Sequence, residues 1–260
     1  MSRWAAGVEY VGTGFRGWQT HTNLRCVQST LEAALSKVAD HPVAVTAAGR
    51  TDAGVHGLQQ VVHFDSEARR SDYAWLLGTN TNLPEDLSLR WVQPVREDFH
   101  ARFSARARHY RYVFHNNRAR SALLRDRVSW WPQRLDAPAM HEAAQALLGE
   151  QDFSAFRDSE CQSPTAMRFM RHVQVFRRGD FVVMDICANA FLHHMVRNIA
   201  GTLAEVGLGK RPPSWVAEVL AGRDRTRAGM TGPAEGLYFV GPEYPAEFAL
   251  PERPEPYFPA

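Results

Sequence analysis

The sequence predicts two α/β domains of ferredoxin-like or RRM-like topology, each running strand, helix, strand, strand, helix, strand (βαββαβ) with a mainly antiparallel sheet. Three observations carry that reading. Apolar residues alternate in short runs, as at Tyr110, Tyr112 and Phe114. Between such runs they recur at helical spacing, as at Val27, Leu31, Leu35 and Val38. The same order of elements is met once in each half of the 260 residues, although the halves share no sequence identity.

Trp4 to Val11 reads as the first strand and leads into Gly12-Thr13-Gly14-Phe15-Arg16-Gly17, a literal Gly-x-Gly-x-x-Gly. That pattern marks a dinucleotide site only where a helix opens within it. Here Trp18 to Asn23 follows and the apolar rhythm resumes only at Val27, so the stretch reads as a mobile glycine-arginine-aromatic loop. The helix of Val27 to Val38 comes next. Strands at Val43–Val45 and Leu58–Phe64 then bracket a second glycine-rich loop. Leu58, Val62 and Phe64 share one parity and Gln59 and His63 the other, the pattern of a half-buried strand. Ser71 is placed to cap a helix carrying Trp75, Leu76 and Leu77, and Leu87, Leu89 and Trp91 alternate as a strand.

In the second half, Tyr110 to Phe114 is the opening strand. Asp136 caps a helix with Met140, Ala144 and Leu147 that Gly149 ends. Phe169–Arg177 and Phe181–Cys187 form a hairpin around Gly179-Asp180. Leu192, Met195, Val196, Ile199, Leu203 and Val206 trace a strongly apolar helix face; a shorter helix at Trp215–Leu220 precedes a last strand at Leu237–Val240. Six prolines fall in the twenty residues from Gly241, which reads as an extended tail. The expected domains are 1–104 and 105–245, with a tail at 246–260.

Composition narrows the class. Hydrophobic content of 45% and charged content of 22% suit a globular chain. A net charge of only +2 means that attraction to nucleic acid must come from how the arginines are distributed. Cys26, Cys161 and Cys187 stand alone and odd in number, which argues for a reducing compartment and against a disulfide framework or a structural zinc. No apolar run approaches the length of a membrane span, and Met1 to Trp4 begins no signal peptide, so the reading is cytoplasmic, with no membrane partner.

The chemistry concentrates in Ala48-Gly49-Arg50-Thr51-Asp52-Ala53-Gly54-Val55-His56-Gly57, where closely spaced glycines let backbone approach something closely. It holds one carboxylate, Asp52, and one guanidinium, Arg50. An isolated Thr-Asp-Ala-Gly is also an ordinary turn. A carboxylate acts as a nucleophile at neutral pH if it stays ionised, and a nearby cation keeps it so. From Arg102 to Arg127 run eight arginines, Arg111 and Arg118 among them, with Asp126 the only acid. Tyr110, Tyr112 and Phe114 are interleaved with them. Guanidinium forks pair with phosphate and aromatic faces stack on unpaired bases, so this stripe fits RNA. If the tyrosines face the sheet interior, Arg111 points the other way, and one strand serves core and RNA together. The histidines do not make a metal site on spacing: His193 and His194 are adjacent, diverging by about 100° on a helix, and His56 and His63 fall on opposite parities. No metal is expected. Neither a Gly-x-Ser-x-Gly nor a cysteine in a glycine-rich basic setting appears.

The ten-residue loop resembles the active-site loop of the tRNA pseudouridine synthase A family. The likeness extends to Asp98–Ala105, to Arg111 between Tyr110 and Tyr112, to Asn189–Asn198 and to Ala234–Tyr238. It implies a uridine-to-pseudouridine isomerase acting at positions 38, 39 and 40 of the tRNA anticodon stem-loop, without a cofactor, as a homodimer spanned by one tRNA. It implies sheets continuous across a basic RNA-binding cleft with Asp52 at its floor. By resemblance Asp52 is the nucleophile, attacking C1′ or C6 or assisting loss of the C2′ proton. Tyr110 packs against the target uracil, Arg50 enters the helix where the flipped nucleotide was, and Arg197 salt-bridges the catalytic aspartate. Phe99, His100, Ala101, Arg102 and Phe103 match one segment along the RNA, and Glu160, Cys161, Gln162, Ser163 and Pro164 match another. Arg70 and Arg118 match backbone contacts. One departure is Val11-Gly12-Thr13-Gly14, where many members have Asp-Gly, in the loop the family sets beside RNA. The competing reading, a tandem RRM-like RNA-binding protein without catalysis, expects a Lys/Arg-Gly-Phe/Tyr-Gly/Ala-Phe-Val-x-Phe/Tyr run that is absent.

Overall fold

The computed structural model describes residues 1–254. The chain forms two compact units. The first opens with β1 (Ser2–Tyr10), α1 (Val27–Ala39), β2 (Thr46–Ala47), β3 (His56–Ser66), α2 (Asp72–Asn82) and β4 (Leu87–Pro94). The second holds β5 (Ala107–His115), β6 (Ser129–Trp130), α3 (Ala137–Ala144), β7 (Gly149–Asp152), β8 (Met167–Arg178), β9 (Phe181–Ala188), α4 (Met195–Gly207) and α5 (Trp215–Gly222). The chain then forms β10 (Leu237–Glu243), and from Tyr238 it is counted with the first unit. The divisions therefore fall at Arg106/Ala107 and Leu237/Tyr238. Among the described residues no helix is long and apolar enough to cross a membrane.

In the first unit the strand order is β4-β1-β3-β10, antiparallel except for β10, which runs parallel to β3 with Tyr238 opposite His56 and Phe239 opposite Gly57. The even-numbered residues of β1 and β3 (Trp4, Ala6, Val8, Val62 and Phe64) join Leu31 and Leu35 of α1 and Trp75 of α2 in one apolar core. Ser71 caps α2, its Oγ accepting from the Ala74 N–H at 3.1 Å. β3 is not the half-buried strand its alternation suggests: Gln59, Gln60 and His63 are buried too. The second face is covered by the chain at Ala101, whose N–H donates to His63 Nδ1, and by Pro251, whose carbonyl accepts from Gln59.

The strand before the glycine-rich loop is Thr46–Ala47, not Val43–Val45. The N–H groups of Val43 and Val45 donate to Ser36 Oγ and Glu32 Oε1 of α1, so they are unavailable to a ladder. The expected tail is also partly folded: β10 continues to Glu243, and Phe248 packs edge-on against Phe99 at 5.1 Å. What remains of it from 255 onward lies outside the described residues.

The second unit is antiparallel in the order β5-β9-β8-β7, with β6 parallel to the end of β5. Asp136 caps α3 as expected, accepting from the Ala139 N–H. β6 and β7, of two and four residues, were not expected. α3 packs on β8 and α4, and α4 packs on β5.

Candidate active site

The Asp52 loop joins β2 to β3 and is held from beneath on both sides of the carboxylate. Before it, Gln60 Nε2 donates to the Gly49 carbonyl at 2.6 Å. Beside it, the buried Thr51 hydroxyl lies 2.9 Å from the Tyr10 hydroxyl, and the Thr51 carbonyl accepts from the Trp18 N–H at 2.9 Å. After it, the Val55 N–H donates to the Asp52 carbonyl at 3.2 Å, a turn made possible by Gly54 at φ 82°. The Gly12 N–H donates to His56 Nδ1, and His56 stacks on Tyr238 at 4.7 Å. Burial pushes the Tyr10 hydroxyl well above its ordinary pKa, so it stays protonated; the hydrogen bond with Thr51 opposes the shift. Asp52 itself is half-buried and Arg50 exposed.

The first glycine-rich loop thus has a defined task. A Cβ on Gly12 would collide with the Val55 carbonyl, so only glycine lets the two loops meet. The expectation of a mobile loop is corrected here: residues 12–14 form a 3-10 turn, and Phe15 and Trp18 are 2% exposed in the core. Thr13, Gly14, Phe15 and Arg16 face Ala53 and Gly54 across a cavity of about 370 Å³.

The 99–103 segment divides by burial. Phe99 and Ala101 are fully buried and cannot present side chains to a ligand. His100 and Phe103 stack at 4.3 Å with 30° between rings, the Arg102 guanidinium lies 5.6 Å from the Phe103 ring, and Phe103 is 76% exposed. Arg3 anchors the base of this segment by donating to the Glu97 and Phe99 carbonyls while paired with Asp65. Burial, with Arg3 and His100, pushes His63 down to about 4, so it is the neutral acceptor that the Ala101 N–H requires. Arg70 is exposed, its Nε on the Val38 carbonyl.

In the second unit Tyr110 is buried and meets Phe191 edge-on at 5.0 Å. Arg197, near the start of α4, donates through Nε to the Gly232 carbonyl, while Gly232 N–H returns a bond to the Arg197 carbonyl. Glu160, Gln162 and Pro164 are exposed on a loop that Arg157 pins through the Cys161 and Ser163 carbonyls and Arg168 pins through the Ser163 hydroxyl. Burial would raise the Cys161 thiol, but the N–H groups of Ser163 and His193 and the Arg157 guanidinium outweigh it and hold it below its ordinary value. Arg118 is exposed.

Two expectations need correcting. Arg111 does not point a free guanidinium outward: it pairs with Asp185 across the β5–β9 ladder. His193 and His194 do not lie on a helix. They precede α4, with His194 in the left-handed region at φ 58°; their rings stack at 4.0 Å, and both Nδ1 atoms face Asp158, at 3.5 and 2.7 Å. The sequence reading missed Tyr10 and Gln60. Gln60, a polar side chain on the apolar parity of β3, was the available signal.

The family model described as tRNA pseudouridine synthase matches residues 6–104 and 143–245. A protein of Pectobacterium atrosepticum named tRNA pseudouridine synthase A is 56% identical over 248 residues, covering 95% of this chain and 88% of its own length. Proteins of the same name from Escherichia fergusonii and Salmonella paratyphi B are each 56% identical over 250 residues, covering 96% of this chain and 93% of their own.

Proposed function

The chain belongs to the tRNA pseudouridine synthase family, whose members are isomerases, and from that membership we propose that it converts uridine to pseudouridine at positions 38, 39 and 40 of the tRNA anticodon stem-loop with Asp52 as nucleophile. Uracil is detached from C1′ at N1, turned, and rejoined at C5. The bond broken and the bond made are alike, and no net redox occurs, so the chemistry calls for no cofactor. The target nucleotide must leave its stack, at a cost of a few kcal/mol that a wedge and a new stacking partner offset. Arg50, Tyr110 and Arg197 keep the roles that the resemblance assigns. The half-buried His100, the exposed Arg102 and Phe103 and the rim of Glu160, Gln162 and Pro164 serve RNA, as do Arg70 and Arg118. Phe99, Ala101, Cys161 and Ser163 shape those segments from behind. A cytoplasmic homodimer is part of this reading.

The observation that supports it most is the setting of Asp52: a half-buried carboxylate on a loop whose backbone is held at Gly49, Thr51 and Val55, beside an open cavity. A bland turn aspartate needs none of this. Asp52→Asn keeps the shape and removes the charge. On unmodified tRNA it forms no pseudouridine by tritium release, yet binds the anticodon stem-loop within about tenfold of the parent, about 1.4 kcal/mol. Turnover above a few per cent of parent, with deamidation excluded by mass, ends the assignment.

A further inference from the structure

We propose that Thr231 and Arg225 are positioning residues for catalysis: with the buried Asn198 they lock the chain at residues 229–232, and the Gly232 carbonyl in turn sets the plane of the Arg197 guanidinium. The inference rests on the role proposed for Arg197, partner of the catalytic carboxylate.

Gly232 and Arg197 grip each other twice. The Gly232 N–H donates to the Arg197 carbonyl at 2.9 Å, and Arg197 Nε donates back to the Gly232 carbonyl at 2.8 Å. A guanidinium is a rigid plane, so a fixed Nε–H direction also fixes the plane of its two Nη groups. The aim of the fork is therefore only as good as the placement of one carbonyl.

That carbonyl is held by a network in which every link is a direct hydrogen bond. Asn198, the residue after Arg197 on α4, is fully buried. Its Oδ1 accepts from the Thr231 hydroxyl at 2.7 Å and from Arg225 Nη2 at 3.0 Å, and its Nδ2 donates to the Phe156 carbonyl at 2.9 Å. The Thr231 proton goes to Asn198, so its oxygen accepts from Arg225 Nη2 at 3.0 Å, while Nη1 donates to the Gly229 carbonyl at 2.9 Å. One turn along α4, the Thr202 hydroxyl donates to the Asn198 carbonyl and accepts from the Gly229 N–H. Gly229 is thus held at both polar groups of its backbone, and Thr231 at its side chain. On the other side of Gly232, the Tyr112 hydroxyl donates to the Pro233 carbonyl at 2.9 Å. Gly232 is pinned through both neighbours.

Shape supports this independently. A Cβ on Gly201 of α4 would collide with the Met230 carbonyl, and one on Gly232 would press on the Tyr112 hydroxyl at 2.8 Å. The segment therefore lies directly against the helix that carries Arg197.

A cation displaced by a fraction of an ångström loses rate without losing binding, so turnover and affinity should part. Thr231→Val keeps the shape and deletes the hydroxyl, whereas Thr231→Ser retains it. For the full-length chain on an unmodified anticodon stem-loop transcript, Thr231→Val is expected to lower kcat about tenfold, with KM and RNA affinity within about twofold of parent. Thr231→Ser is expected to bring kcat back to within about twofold of parent. Solvent exchange of the Arg197 Nε–H, followed by NMR on the arginine signal that Arg197→Ala removes, is expected to quicken about tenfold in Thr231→Val. A purely structural role would instead lower the melting temperature and leave the kcat of the folded fraction intact. Parental kcat in Thr231→Val, a rise in KM at constant kcat, a Thr231→Ser no better than Thr231→Val, or an Nε–H exchanging at the parental rate each overturn the proposal. Should Thr231→Val not fold, Arg225→Met, which removes all three guanidinium bonds, carries the same test. Asp52→Asn and Arg197→Ala run alongside separate the ideas. Parental turnover in either removes the reading on which the proposal rests, whereas two slow variants beside a fully active Thr231→Val remove only this inference.

Discussion

Arg111 directs two nitrogens at one carboxylate oxygen, Oδ2 of Asp185, at 3.2 and 2.9 Å, from directly opposite positions in the β5–β9 ladder. Its guanidinium is therefore committed to the sheet. Arg111→Ala should cost stability by up to about 1 kcal/mol, as for a cross-strand ion pair, and leave the salt dependence of tRNA binding unchanged. A urea titration beside binding curves at several salt concentrations checks both.

Arg118 is the contrasting case, exposed beyond the end of β5. Arg118→Ala should leave the urea midpoint in place, weaken tRNA binding whatever the sequence, and reduce the slope of log K against log salt by about one unit. An unchanged slope takes Arg118 out of the interface.

Phe99 and Phe103 lie four residues apart and should fail differently. Phe99 is fully buried against Tyr244 and Phe248. Phe99→Ala should destabilise by about 3–5 kcal/mol, with RNA affinity lost only as the fold is lost. Phe103 stands 76% exposed on the His100 ring. Phe103→Ala should leave the melting temperature alone and weaken RNA binding by about 1–3 kcal/mol, the worth of one stacked base.

His63 sets a pH window. Its folded pKa, about 4, lies below the ordinary value of 6.5, so between those values the unfolded chain binds more protons than the folded one. The stability that neutral His63 contributes is present in full above pH 6.5, falls as the pH drops toward 4, and levels off below. Protonation also ends its acceptance of the Ala101 N–H. Urea midpoints measured from pH 7 to 4 should decline over that window, and His63→Leu should show a shallower decline. Equal slopes for the two proteins would show that other groups carry the dependence.

Much of the fold was legible because local signals and packing agree. Ser71 and Asp136 cap the helices they were expected to cap, and the even-numbered faces of β1 and β3 meet the apolar face of α1. Legibility failed where an interaction distant in sequence outweighs the local pattern. Val43 and Val45 look like a strand, but two side chains of α1 take their N–H groups. His193 and His194 look like part of the helix that begins one residue later, and the left-handed turn at His194 sets them against Asp158 instead. β6 and β7 are too short to show a period. At the site, the loop motif marked Asp52, while the residues that hold the loop, Tyr10 and Gln60, come from strands whose own patterns read as plain core.

The return of β10 also bears on the order in which the molecule is made. On the ribosome the Asp52 loop emerges well before the strand that pairs with β3 at His56 and Gly57, which is made only after the whole of the second unit's strands and helices. Until Tyr238 to Phe248 leave the exit tunnel, that end of β3 keeps an open edge and Phe99 lacks its covering rings. A nascent chain arrested near residue 236 would carry the full Asp52 loop and display the kind of unpaired strand edge on which chains aggregate.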